Sequence, residues 1–188
     1  MRKIILILLI FSISCVINLS QAADFHRSSA QKAVKTSTDI CLVALPAATI
    51  AGVLLSKDKI GLKQGALSAA TVVGATFLLK FAIKEDRPDH SNFHSFPSGH
   101  TSFTFAAATF LQRRYGWKFG VPAYVVSTYV GWGRVYAKKH HWWDVLAGAA
   151  IGTASSLIYT RPFSQKHDLT LIPSLSLDSF TLSASLSF

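Results

Sequence analysis

Long apolar stretches alternate along the chain with short polar or basic turns. After a polar, helix-compatible lead-in that ends near residue 38, apolar segments cover about 40–55, 66–83, 101–111, 119–135 and 145–159. Each is of helix length, rich in Ala, Gly, Ser and Thr, and nearly free of charge. Small residues of this kind let helices approach closely in a lipid-embedded bundle. Several segments fall short of the roughly 20 residues that span a bilayer, so a compact exported helical domain is the alternative. From Asp168 the period changes. Apolar residues alternate at Leu169, Leu171, Leu175 and Leu177, then at Phe180, Leu182, Leu186 and Phe188. Period two predicts strand, and the phase shift across Asp178 and Ser179 predicts a hairpin turn. The expected fold is all-α: a bundle of about five apolar helices, transmembrane, with a short C-terminal β-hairpin-like tail.

The amino terminus carries Arg2 and Lys3, an apolar run over 4–13, and then "SQAA". That order predicts an export signal cleaved near Ala22 or Ala23. The expected organisation is a signal over 1–23, a helical domain over 24–162 and the tail over 163–188. Cleavage would leave Cys41 as the one cysteine, which excludes a disulfide framework. Cys41 lies within an apolar stretch and reads as a small buried hydrophobe.

Composition narrows the picture. At 188 residues, half of them apolar, the chain makes one domain with a full core. The net charge of +10 is not accompanied by a basic run, recognition helix or RNA-binding motif, so nucleic acid is not an expected partner. Basic residues gather instead between the apolar segments, a pattern suited to lipid headgroups or phosphate-bearing substrates. With the mature amino terminus outside, five crossings place "SKDKIGLKQ", "QRRYGWK" and "RPFSQK" on the cytoplasmic side, as the positive-inside tendency favours. Lys80, Arg87, Arg134 and Lys138 then lie on the opposite side and need another justification.

Three clusters share that opposite side: "KFAIKEDRP" with Lys80, Arg87 and Pro88; "FPSGHT" with Pro97, Ser98, Gly99 and His100; and "GRVYAKKHHWWD" with Arg134, His140 and Asp144. Singly, each has an ordinary reading. Lys80 fits a snorkelling helix-end lysine, Ser98-Gly99 a helix start, and Arg134 with Asp144 a structural ion pair. Together they fit one demand, because a phosphate monoester carries up to two charges and needs converging cations and donors. Arg87 and Arg134 offer planar forks and Lys80 a point charge. Ser98 and the amides around Gly99 offer donors at a helix start, where the dipole favours an anion.

Hydrolysis then needs a nucleophile and an acid for the leaving oxygen, and histidine suits both. His100 and His140 are the candidates. On a helix His140 and Asp144 would share a face, although His141, three residues from Asp144, also reaches it. An aspartate that takes the proton on one imidazole nitrogen leaves the other as a lone pair for attack.

The three clusters, in this order and at these spacings, resemble the signature of the type 2 phosphatidic acid phosphatase superfamily, over roughly residues 40–159. Gly133 departs from it, standing where the family usually has serine. The resemblance implies a phosphatase in which His140 attacks phosphorus to form a phosphohistidine, Asp144 orients it, and His100 protonates the leaving group and later activates water. It also implies that Lys80, Arg87, Ser98, Gly99 and Arg134 hold the phosphoryl oxygens, with no metal and no cofactor. The loop histidines His90, His94 and His141 read as solvated rather than as zinc ligands. The substrate expected is a lipid phosphate or diphosphate: lipid A, undecaprenyl diphosphate, phosphatidylglycerol phosphate or phosphatidic acid. The expected site is the bacterial inner membrane with the active centre facing the periplasm, or else the periplasm or an outer-membrane association. Competing readings are a soluble exported acid phosphatase acting on small phosphomonoesters, a vanadate-dependent haloperoxidase of the same constellation, and an inactive membrane scaffold.

Overall fold

The structure is a computed structural model that describes residues 28–163 and the backbone of Asp168–Ser176 and Ser179–Ser187. The expected signal over 1–23 lies outside the described residues. Among the described residues five helices follow one another: α1 (Ser29–Leu55), α2 (Lys59–Ala82), α3 (Gly99–Tyr115), α4 (Trp117–Tyr136) and α5 (Trp142–Tyr159).

Most helices extend past their apolar segments because polar caps set the ends. The polar lead-in and the first apolar segment are one helix. At its start the Ser28 hydroxyl accepts from the Gln31 amide, and the Gln31 side chain accepts from the Ser28 amide, both at 3.2 Å. That reciprocal pair satisfies two donors at a helix start that would otherwise lack partners. Asp58 does the same for α2, accepting from the Gly61 amide at 2.8 Å. Gly116, in the left-handed region at φ 89°, separates α3 from α4.

Helix α3 occupies the centre, packed against α4 and α5 and also touching α1 and α2. Its interior face is Thr101, Ser102, Thr104, Ala106, Ala107, Ala108 and Thr109, hydroxyls and methyls rather than large aliphatics. Closeness replaces bulk here. A Cβ on Gly148 would lie 2.5 Å from the Ser98 carbonyl oxygen, and one on Gly152 2.2 Å from that of Ser102. Without those side chains α5 lies directly on the α3 backbone. Ser156 uses the proximity to donate to the Ala106 carbonyl at 2.7 Å, and its hydroxyl meets that of Ser68 on α2 at 2.8 Å.

Helices α1 and α2 are long and apolar enough to cross a membrane. Large aliphatics point outward around the bundle, with Leu55 84 %, Leu78 72 %, Val125 65 % and Ile158 70 % exposed. Of the five crossings expected, α1 and α2 are the two that have this length and hydropathy among the described residues; α3, with 17 residues, is the shortest helix and lines its contacts with hydroxyls. Cys41 is half-buried rather than buried.

The end of the bundle holding the α1–α2 and α3–α4 turns, the basic turns expected on the cytoplasmic side, is locked by an ion pair. Arg114 donates from Nε to Asp58 Oδ2 at 2.7 Å and from a terminal nitrogen to Oδ1 at 2.6 Å. It also donates to the Arg161 and Pro162 carbonyls, and Tyr115 donates to Asp58 at 3.0 Å. Burial acts to raise the Asp58 carboxyl, but Arg114, the Gly61 amide and Tyr115 together hold it below the usual carboxylate range. Because the folded value is lowered, the stabilisation is complete above the unfolded value of about 3.9 and fades as pH falls through the folded one. Asp58→Asn should therefore cost about 3 kcal/mol at neutral pH. In thermal melts, the gap between variant and wild type should hold from neutral pH down to about 5 and narrow only below about 4.

Beyond the helices, β1 (Asp168–Ser176) runs antiparallel to β2 (Ser179–Ser187), with Asp168 opposite Ser187 and Ser176 opposite Ser179.

Candidate active site

The loop from α2 to α3 is the first part of the site. It folds on itself through backbone bonds from the Glu85 amide to the Phe93 carbonyl, the Arg87 amide to the Asn92 carbonyl, and the Ser95 amide to the Glu85 carbonyl. Lys80, one turn before the loop, donates to the His94 carbonyl at 2.9 Å. A second tie is a buried ion pair, Lys139 to Asp89 at 2.8 Å, between the loop and the turn after α4. Burial acts against the Asp89 charge, yet Lys139 and Ser91 hold its carboxyl down at about 2. Between these ties Arg87 is buried, 3 % exposed.

Loop and α3 meet at Ser98, which precedes the helix and is fully buried. Its amide donates to the Asp144 carbonyl at 3.0 Å, so the start of α3 is tied to the start of α5. The Ser98 hydroxyl accepts from Thr101 at 3.0 Å. Gly99 and His100 open α3.

Arg134 ends α4, and its carbonyl accepts from the Lys139 and His140 amides at 2.9 and 3.3 Å. This wraps the turn back over the helix end and brings His140 beside Arg134. His140 does not lie on a helix with Asp144, as i,i+4 spacing implied; it sits in the turn, and Asp144 in the first turn of α5. They still meet, His140 Nδ1 to Asp144 Oδ2 at 3.4 Å, an electrostatic contact rather than a formed hydrogen bond. The carboxylate is held elsewhere, accepting from the Ser95 hydroxyl at 2.5 Å and the His141 amide at 2.8 Å.

The two adjacent histidines differ in burial and company. His141 Nδ1 is also close to Asp144, at 3.6 Å, but its ring stacks on Trp143 and faces Glu85 at 3.4 Å. The His141 side chain is 30 % exposed and that of His140 2 %. Burial first, then the charges of Arg134, Arg87 and Lys80, hold His140 well below its usual value, against the pull of Asp144. It is therefore neutral at physiological pH, with a lone pair available.

The structure thus draws Lys80, Arg87, Ser98, His100, Arg134, His140 and Asp144 to one end of the bundle. Two residues there were missed by sequence reading: Ser95, which holds Asp144, and Asp39 on α1. Asp39 Oδ1 lies 2.8 Å from both His100 Nε2 and Arg134, so the carboxylate expected to face Arg134 from Asp144 comes from Asp39. Gly133 shows what lets α1 in, since a Cβ there would stand 2.5 Å from Thr38 Cγ2. The spacing of Lys35 and Asp39, an i,i+4 ion pair at 2.9 Å, was the available signal. Trp142 and Trp143 are more than half exposed at the rim, and the Trp143 indole donates to Glu85. Glu85, His141 and Asp144 could together hold a metal ion, but Asp144 Oδ2 and Glu85 Oε1 already accept the bonds described. Chemically the cluster offers cations for an anion, a neutral histidine beside a carboxylate, and a second histidine on another helix.

A family model described as the PAP2 superfamily matches residues 62–168. The chain is 33 % identical over 135 residues to a lipid A 1-phosphatase of Porphyromonas gingivalis, covering 66 % of this chain and 30 % of that one. It is 32 % identical over 127 residues to a lipid A 4'-phosphatase of Helicobacter pylori, covering 68 % and 61 %. The chain therefore spans less than two thirds of the length of these relatives. Its fold is similar to the crystal structure of Aquifex aeolicus LpxE, with a TM-score of 0.53 and 23 % identity over 64 % of this chain and 83 % of that one.

Proposed function

The chain belongs to the PAP2 superfamily, and from that membership we propose that it is a membrane phosphatase cleaving a lipid phosphate or diphosphate through a phosphohistidine on His140. The observation that carries this reading is the burial of a neutral His140 against Asp144 and among the charges of Arg134, Arg87 and Lys80. The phosphoryl oxygens bind where those cations and the donors around Ser98 and Gly99 converge. The His140 lone pair attacks phosphorus as the ester P–O bond breaks, and His100 donates a proton to the departing oxygen. Water then attacks the phosphohistidine, losing its proton to His100, and free phosphate and neutral His140 are released. Asp144 holds the imidazole throughout.

The outward aliphatics and the two long apolar helices support a membrane position, with the site at the periplasmic face of a bacterial inner membrane. The exposed Trp142 and Trp143 suit the headgroup level there. The tail is proposed to be an appended hairpin with no part in the reaction; the family match ends at residue 168, where β1 begins.

Both relatives described above are named for lipid A, so lipid A leads the expected substrates. Purified full-length protein should release phosphate from one of lipid A, undecaprenyl diphosphate, phosphatidylglycerol phosphate or phosphatidic acid in mixed micelles. That rate should exceed the rate on p-nitrophenyl phosphate. A preference for the small ester, with the protein recovered without detergent, would favour the soluble phosphatase instead.

A further inference from the structure

Asp39 is a carboxylate inside a site built to attract anions, and no motif accounts for it. It stands on α1, outside residues 62–168, and reaches across 61 positions to His100 and 95 to Arg134. Its other oxygen is held by Lys35 at 2.9 Å. The close packing of Thr38 against Gly133 fixes α1 at the height where the next residue enters the site. The contact is one of mostly buried side chains: His100 is 11 % exposed, Arg134 4 % and Asp39 24 %.

A carboxylate can only accept, so the proton of this contact sits on Nε2 of His100. The ring is then fixed in rotation, and Nδ1 is left to exchange a proton with a reacting oxygen. The cations that face His100 from the other elements are Arg134 on α4 and Arg87 in the loop, with Lys35 behind Asp39 on α1. Each opposes the imidazolium, and Asp39 is the anion that favours it. We propose that Asp39 is the positioning residue of the acid: it sets the tautomer and orientation of His100 and keeps the ring able to carry the proton that the leaving group takes. His140 with Asp144 and His100 with Asp39 then form two histidine–aspartate pairs, one serving the nucleophile and one the acid.

This inference rests on the proposed phosphatase reading for its kinetic arm only. Wild type, Asp39→Asn and Asp39→Glu would be purified at full length. Phosphate release from the best of the four lipids would be followed from about pH 5 to pH 8.5, beside histidine-selective 15N NMR assigned with His100→Gln. Asp39→Asn should lower kcat roughly tenfold to a hundredfold near pH 7.5 with KM within about twofold, in line with the size of general-acid effects. The deficit should shrink as pH falls, because acid restores the proton that Asp39 no longer favours. Asp39→Glu should regain much of the rate. In the spectra, Nε2 of wild-type His100 should carry the proton at neutral pH, and its titration should move to lower pH in Asp39→Asn. An unchanged kcat with a lower KM and tighter inhibition by inorganic phosphate would overturn the proposal, making Asp39 a competitor for the anion site. A pH-independent loss without rescue by Glu and with unchanged histidine shifts would also overturn it, in favour of a structural role. Wild type that releases no phosphate from any lipid would defeat the phosphatase reading, while the NMR arm would still decide the fate of Asp39.

Discussion

His140→Ala is expected to reduce phosphate release by about a thousandfold or more, with a circular-dichroism spectrum like that of wild type. Removing a nucleophile deletes the covalent path altogether, and only binding and electrostatic help over water remain. The fold should survive because His140 sits in a turn, and the bonds that hold the turn are backbone amides to the Arg134 carbonyl. His141→Ala is the matched control. It removes a ring stacked on Trp143 at the rim but leaves the backbone amide that holds Asp144, so activity should fall far less than in His140→Ala. Initial rates and single-turnover trapping of acid-labile phosphoprotein measure both. A larger loss in His141→Ala than in His140→Ala would reverse the assignment.

Gly152→Ala should unfold the bundle or come close to it. The added Cβ would stand 2.2 Å from the Ser102 carbonyl oxygen and 2.8 Å from the Ala106 amide nitrogen, and both are backbone of the central helix. No rotamer change relieves such a contact, so α5 must move away from α3. That movement also loosens the Ser156 bonds to Ala106 and Ser68. Overpacking of this kind costs about 3 kcal/mol, a large share of an ordinary domain's stability. Gly74→Ala is a fair comparison, since its Cβ would meet nothing within 4 Å. Melting in detergent should separate the two by about 6–12 °C, given the usual relation of free energy to midpoint.

The five apolar segments were legible because lipid-facing and core-facing positions alike are apolar, and turns between them must be polar. Their true ends were less so, because caps such as Ser28 with Gln31 are local hydrogen-bond choices that hydropathy does not register. The three clusters were visible from spacing, and the fold brings them to one end of the bundle. What spacing could not say is which of two adjacent histidines is buried: that depends on a turn folding over the end of α4, not on periodicity. Asp39 and Ser95 escaped for a related reason. Each is an ordinary polar residue in its own stretch, and only tertiary packing brings it to a partner 49 or more positions away. Arg114 is a similar case, one base among several in the turn "QRRYGWK" until its partner Asp58 is seen beside it.

The reach of α1 separates two boundaries that a motif search would treat as one. The matched stretch begins at residue 62 and contains the proposed nucleophile, its aspartate, the proposed acid and every proposed phosphate ligand, while the carboxylate touching His100 lies 23 positions upstream of that start. On the proposed reading, the pH response of this chain is set in part by a residue that the three motifs do not include.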